Sequence, residues 1–152
     1  MPTAWRILPA RFASEAFTGE GAWRVGGRWN SPGVRMVYAS EHKSLAVLET
    51  LVHVDPHRPM HFLCFRLEIP ETVIERLAAR DLPSGWQVEP PASLTQQVGD
   101  AWTRVGRSAV LAAPSALIPE ELNYLLNPVH RDFARVTLGK PAPFTFDPRL
   151  LN

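Results

Sequence analysis

The run "MHFLCFRLEI", residues 60–69, decides how the rest of the chain is read. Apolar residues fill most of its positions, and Pro70 closes it. A strand with one solvated face alternates apolar and polar residues, whereas a strand covered on both faces does not. The run therefore predicts a central strand in a sheet packed on both sides. Cys64, the one cysteine of the chain, reads as a buried structural thiol, the usual state of a lone cysteine in such a setting.

Working outward, more strands appear than helices. "AWRIL" (4–8) is closed by Pro9, and "RMVYA" (35–39) follows a turn at "SPG" (31–33). "AVLAAPSAL" (109–117) is broken at Pro114, "LNYLLNP" (122–128) follows it, and "HRDF" makes a turn before "ARVTL" (134–138). "PFTFDPRLL" (143–151) is a short closing element. Residues 13–27 read as a loop and 28–30 as a short strand. The first helix is "EHKSLAVLETLVHV" (41–54), with Ser40 as N-cap, Glu41 at the positive end of its dipole, and Asp55-Pro56 as its stop. Residues 71–83 fit either a strand plus loop or a short helix, and 84–93 read as loop. Ser93 and Gln96 form a capping-box pattern before a second helix, in which Leu94, Val98, Ala101, Trp102 and Val105 share one face. Strands that mostly follow one another without intervening helices predict an α+β fold with a mixed or antiparallel sheet.

The length of 152 residues predicts a single domain over 1–152. A net charge of +1 lacks the basic surplus of a nucleic-acid binder. No apolar run is long enough to span a membrane, and the N-terminus lacks the layout of a signal peptide. With one cysteine, these features predict a cytoplasmic protein. Of the 16 basic residues only Lys43 and Lys140 are lysines. Arginine suits bidentate contact with phosphate or carboxylate, although a compositional bias of the genome gives the same count. Residues 1–40 carry five arginines against two glutamates, which weakly favours an anionic ligand there.

Several residues stand out as chemistry-bearing. On a helical wheel with Leu45 at the origin, Glu49 falls at about 40°, at the edge of an apolar arc formed by Val47, Leu51, Leu48, Val52 and Leu45. A carboxylate at such a border reaches a cation, lines a cleft, or keeps its head in water. Arg28 sits between glycines and Trp29, where it can hold phosphate oxygens or bridge strands. The Tyr38 ring can stack on a base or fill the core. Ser115, Asn123, Asn127 and His130 either face one site or cap local turns. His53, His57 and His61 are spaced by four, but Asp55-Pro56 and Pro59 prevent a shared helical face, so no metal site is expected. No Walker loop, GxSxG or dinucleotide GxGxxG motif is present.

Taken together, "WRI" (5–7), "GEGAWRVGGRWNSPGVRMVYASEHKSLAVLETLVH" (19–53) and "PSALIPEELNYLLNPVHRDF" (114–133) resemble the RES domain, the toxin half of bacterial Xre–RES type II toxin–antitoxin modules. Arg28, Glu49 and Ser115 match the family's eponymous Arg, Glu and Ser, and Tyr38 matches its active-site tyrosine. Residues 70–108 match loosely. The resemblance implies a fold like that of ADP-ribosyltransferase toxins, with NAD as substrate, no separate cofactor and no metal. It implies cleavage of the nicotinamide–ribose bond by water or phosphate, an Xre-type antitoxin as partner, and a homodimer. In that reading Glu49 stabilises positive charge on the ribose, Arg28 holds the pyrophosphate, and Tyr38 stacks near nicotinamide or shapes its pocket. Ser115 bonds the ribose or Glu49, Asn127 and His130 help position substrate, and Trp29 packs under its loop. Two rival readings are transfer of ADP-ribose to a macromolecule, and a catalytically silent antitoxin-binding regulator.

Overall fold

The computed structural model describes residues 1–58, 60–91 and 93–151. Eight strands form one sheet: β1 (Thr3–Pro9), β2 (Val37–Ser40), β3 (Phe62–Glu68), β4 (Ile74–Arg76), β5 (Val110–Pro114), β6 (Leu122–Leu126), β7 (Thr137–Leu138) and β8 (Ala142–Phe144). Their order is β4-β5-β6-β2-β1-β3-β7, with β8 also pairing β3. Only β4 and β5 run parallel; every other pair is antiparallel. Three helices accompany the sheet: α1 (Glu20–Val25), α2 (Lys43–Leu51) and α3 (Ser93–Val105). The fold is α+β with a mixed sheet, as the dominance of strand patterns predicts. Among the described residues no helix is long and apolar enough to cross a membrane.

The apolar run of 62–68 is an interior strand, but an off-centre one. β1 lies on one side of β3, while the short β7 and β8 divide the other. Its sequence is apolar on both faces because both are packed. Phe65 and Leu67 join the core on one side, and Phe62 and Cys64 join a second cluster on the other. Burial also raises the pKa of the Cys64 thiol, against the opposing pull of Lys43.

Several local expectations need correction. Residues 13–27 are not one loop: a 3-10 segment spans Ala10–Glu15, and α1 follows between Gly19 and Gly26, both at positive φ. Residues 28–30 form no strand; only an isolated bridge joins Gly27 to Asn30. Ser40 belongs to β2 instead of capping α2, which starts after His42 and ends at Leu51 rather than near Val54. Residues 71–76 resolve as a 3-10 turn and the short β4. The "HRDF" turn is a 3-10 segment at Arg131–Arg135, so only Thr137–Leu138 of 134–138 is strand. On α3 the buried residues are Thr95, Gly99 and Trp102, while Leu94 and Val105 are exposed. Gln96 donates to the Gly27 carbonyl. The residue before Ser93, where a cap would stand, lies outside the described residues.

Strand alternation sorts the core into two faces. Val37, Ala39, Tyr124 and Leu126 point into the larger cluster. Tyr38, Leu125, Leu111 and Ala113 point the other way, toward Trp29 and Trp102. Ser40 pairs with Trp5 on one side and Asn123 on the other, so these three share that second face. There α2 packs over β1, where Ile7 and Ala46 meet. The α3 helix and the 27–31 loop cover the β5–β6 side. Tyr38, Ser40 and Asn123 lie between the two coverings, and this strip of sheet is where the candidate site forms.

The approach of α3 to the loop has no spare room. A methyl group on Gly99 would coincide with the Trp29 carbonyl. Overpacking of this kind costs about 1–3 kcal/mol. Gly99→Ala is therefore expected to lower the unfolding free energy read from a urea melt by that amount, whereas Gly21→Ala, whose Cβ meets nothing within 4 Å, leaves it unchanged or raises it slightly.

Candidate active site

Glu49 is half-buried and lies toward one side of the face that α2 packs against the sheet. The buried residues of α2 are Leu45 and Ala46, whereas Leu48 is 38% and Val52 59% exposed. On the wheel Glu49 falls between Leu45 and Ala46. Glu49 thus extends from α2 toward β5 and β6.

Two neutral donors meet it there. Ser115 Oγ donates to Glu49 Oε1 at 2.7 Å, and Asn123 Nδ2 donates to the same oxygen at 2.9 Å. Both donors are oriented by further bonds. Ser40 Oγ donates to Asn123 Oδ1 at 2.7 Å. The amides of Leu117 and Ile118 both donate to Ser115 Oγ at 3.1 Å, so the serine closes the turn after β5. Glu41 Oε1 accepts from the Leu122 amide at 2.7 Å and fixes the start of β6. Glu49 Oε2 accepts no hydrogen bond from the described residues, and no cation among them forms an ion pair with Glu49.

Tyr38 and Arg28 belong to the adjoining loop. Tyr38 OH donates to Asn30 Oδ1 at 2.6 Å and accepts from the Trp29 amide at 3.2 Å. Burial, the largest cause, raises the phenol's pKa far above its ordinary value, and Asp100 adds to the rise, so the ring stays neutral at physiological pH. Asn30 is fully buried and donates to the carbonyls of Ala22 and Val34. Gly27 permits this packing, since a Cβ there would lie 2.8 Å from Tyr38 OH. Gln96 and Asp100 of α3 hold the same loop through Gly27 O and through the amide and hydroxyl of Ser31. The loop is a braced structure, and Trp29 is buried beneath it at 1% exposure. From it Arg28 donates to the carbonyls of Trp86 and Val88, both at 2.9 Å, and to Glu89 Oε2 at 3.0 Å.

The structure brings Glu49 and Ser115 into direct contact and places Tyr38 on the same face, two residues from Ser40. Arg28 contacts neither Glu49 nor Ser115; the segment it bonds, residues 86–89, reaches toward them through Gln87 Nε2, which donates to Ala116 O. Asn127 and His130 are not brought to Glu49. They lie past the opposite end of β6 from Asn123, where Asn127 Oδ1 accepts from the Val129 amide. His130 Nδ1 accepts from the Asp132 amide, and its Nε2 bonds Gly106 O. Both side chains shape turns. Among the described residues no group of three His, Cys, Asp or Glu could hold a metal. Surface depressions of about 530 and 270 Å³ lie beside Arg35 and Arg104, and beside His57 and His61. Neither is lined by Glu49 or Ser115.

Sequence reading left Asn123 without a role and treated Ser40 as a helix cap. A polar residue in each of two apolar strands, at positions that later pair, was the available signal. The buried Ser115 hydroxyl carries a local consequence. Ser115→Ala leaves the amides of Leu117 and Ile118 without their acceptor, and it is expected to cost about 1–3 kcal/mol of stability, read from a urea melt.

The RES domain family model matches residues 3–147. "Toxin Res" of Yersinia enterocolitica is 39% identical over 148 residues, which is 96% of this chain and 97% of that protein. The "Prs ADP-ribosylating toxin" of a Sphingobium species is 37% identical over 154 residues, covering 97% and 96%. Among solved structures, the Mycobacterium tuberculosis MbcT–MbcA toxin–antitoxin complex contains a similar chain. It superposes with a TM-score of 0.77 at 18% identity, covering 98% of this chain and 86% of that one. That likeness extends to the fold. With the match spanning nearly its whole length, this chain belongs to the RES domain family.

Proposed function

We propose that this chain is the toxin of a bacterial toxin–antitoxin module, and that it consumes NAD by cleaving the nicotinamide–ribose bond at Glu49. Relatives named as toxins, one of them an ADP-ribosylating toxin, and a structural neighbour solved with its antitoxin support the class. One observation carries the chemistry: Glu49 is held through Oε1 by two neutral donors, while no described residue donates to its Oε2.

Cleavage breaks the C–N bond, and its electron pair leaves with the nicotinamide nitrogen. The departing ring becomes neutral, and positive charge develops on the ribose, as in glycoside cleavage. A carboxylate fixed before the reaction stabilises that charge without reorganising, which can be a dominant catalytic contribution. Its unbonded oxygen accepts a ribose hydroxyl. Ser115 and Asn123 hold the carboxylate in place, and Arg28 pairs with the diphosphate. Water attacking the ribose carbon gives ADP-ribose and a released proton; phosphate gives the 1-phosphate.

The test is direct. Purified protein freed of antitoxin is incubated with NAD, with and without phosphate, and nicotinamide is measured. Wild type is expected to release it, and Glu49→Gln to be slower by ~10²-fold or more. Equal rates for the two proteins, or no release by either, refute the proposal. Because the Sphingobium relative is named an ADP-ribosylating toxin, transfer to a macromolecule is the second reading. NAD labelled in the adenylate phosphate separates the two: label on protein or nucleic acid supports transfer, and label confined to small products supports degradation.

A further inference from the structure

The guanidinium of Arg28 is already engaged. Two carbonyls and one carboxylate, all from residues 86–89, take its hydrogen bonds. Together they present an oxygen-rich anionic face, which is what a diphosphate would offer in their place. The same segment reaches the other side of the site, where Gln87 bonds Ala116 O next to Ser115. The strap from Pro83 to Pro90 thus runs from Arg28 to the turn that holds Glu49.

Its attachment is light. Ser84, Gly85, Gln87, Val88, Glu89 and Pro90 are exposed. Trp86 is the inward anchor, with its ring 6.3 Å from that of Trp29. The ion pair is lopsided: the Arg28 side chain is 16% exposed and the Glu89 side chain 71%. The cation is fixed within the protein, while the carboxylate stands in water and can swing away.

We infer that Glu89 is an affinity-setting residue of this site: its carboxylate competes with an anionic phosphate-bearing substrate for Arg28, and substrate enters by displacing it. This rests on the reading of Arg28 as the diphosphate-binding residue. Exposed ion pairs of this kind are weak, so the competition is mild and reversible. It sets the substrate concentration at which the site fills rather than closing the site outright.

The experiment compares wild type, Glu89→Gln, Arg28→Ala and the double variant. Binding of inorganic pyrophosphate is measured by calorimetry, and the KM for NAD by nicotinamide release. Glu89→Gln lies on an exposed strap, so folding is not at risk. It is expected to tighten pyrophosphate binding or lower KM by roughly two- to five-fold, with the gain absent when Arg28 is already alanine. If Glu89→Gln changes neither quantity, or its gain persists without Arg28, the inference is overturned. Tighter pyrophosphate binding with no NAD consumption keeps the competition and removes NAD as the substrate. NAD consumption with KM and pyrophosphate affinity untouched by Glu89→Gln does the reverse.

Discussion

The bond between Ser115 and Glu49 is the contact on which the site is built. It ties α2 to the turn after β5, and Asn123 brings β6 to the same oxygen. A carboxylate turned toward a sheet needs donors, and a buried cation would be one way to supply them. Here the donors are a hydroxyl and an amide. The difference matters for chemistry. A carboxylate paired with lysine or arginine has its field largely cancelled, whereas one held by neutral dipoles keeps it for a charge that develops later.

That arrangement demands precise donors, and the fold supplies a restraint for each. The Asn123 amide cannot flip freely, because Ser40 holds its carbonyl. The Ser115 hydroxyl accepts two backbone amides, which leaves its proton to point at Glu49. Antiparallel pairing of β2 with β6 sets Ser40 opposite Asn123. Slipping that register by one residue would put Ser40 and Asn123 on opposite faces of the sheet. The strand ladder is thus the scaffold that aims the carboxylate, and the short loops only complete it.

Parts of this were readable from the sequence and parts were not. Apolar runs announced the strands at 4–8, 62–68, 110–114 and 122–126, since β-strands at the core are written in consecutive apolar residues. The special nature of Glu49 was visible too, as a charge among leucines. Its hydrogen-bond partners were hidden, because Ser115 and Asn123 come from segments distant in sequence. Asn123 and Ser40 were obscured for a different reason: their meaning arises only when two strands distant in sequence pair. Asn127 and His130 read differently in the structure. Their polar density suggests a site, but turn geometry uses their side chains locally. The family resemblance grouped Arg28 and Tyr38 with Glu49 and Ser115, and of that group the Glu49–Ser115 contact is the one seen in the structure.

The "GGRWNSPG" loop, residues 26–33, reads as flexible from its glycines and proline, yet it is among the most restrained segments of the chain. Tyr38 and Asn30 fill its inside, Gln96 and Asp100 clamp its outside, and the backbone of Trp29 rests on Gly99. Gly27 serves close packing, so its lack of a side chain makes the loop tighter rather than looser. Arg28 therefore projects from a fixed base. Whatever ligand its guanidinium holds, the exchange of one partner for another falls to the surrounding segment, not to the arginine. In this fold Glu49 and Arg28 stand on braced elements, while Glu89 stands on the exposed 84–90 strap.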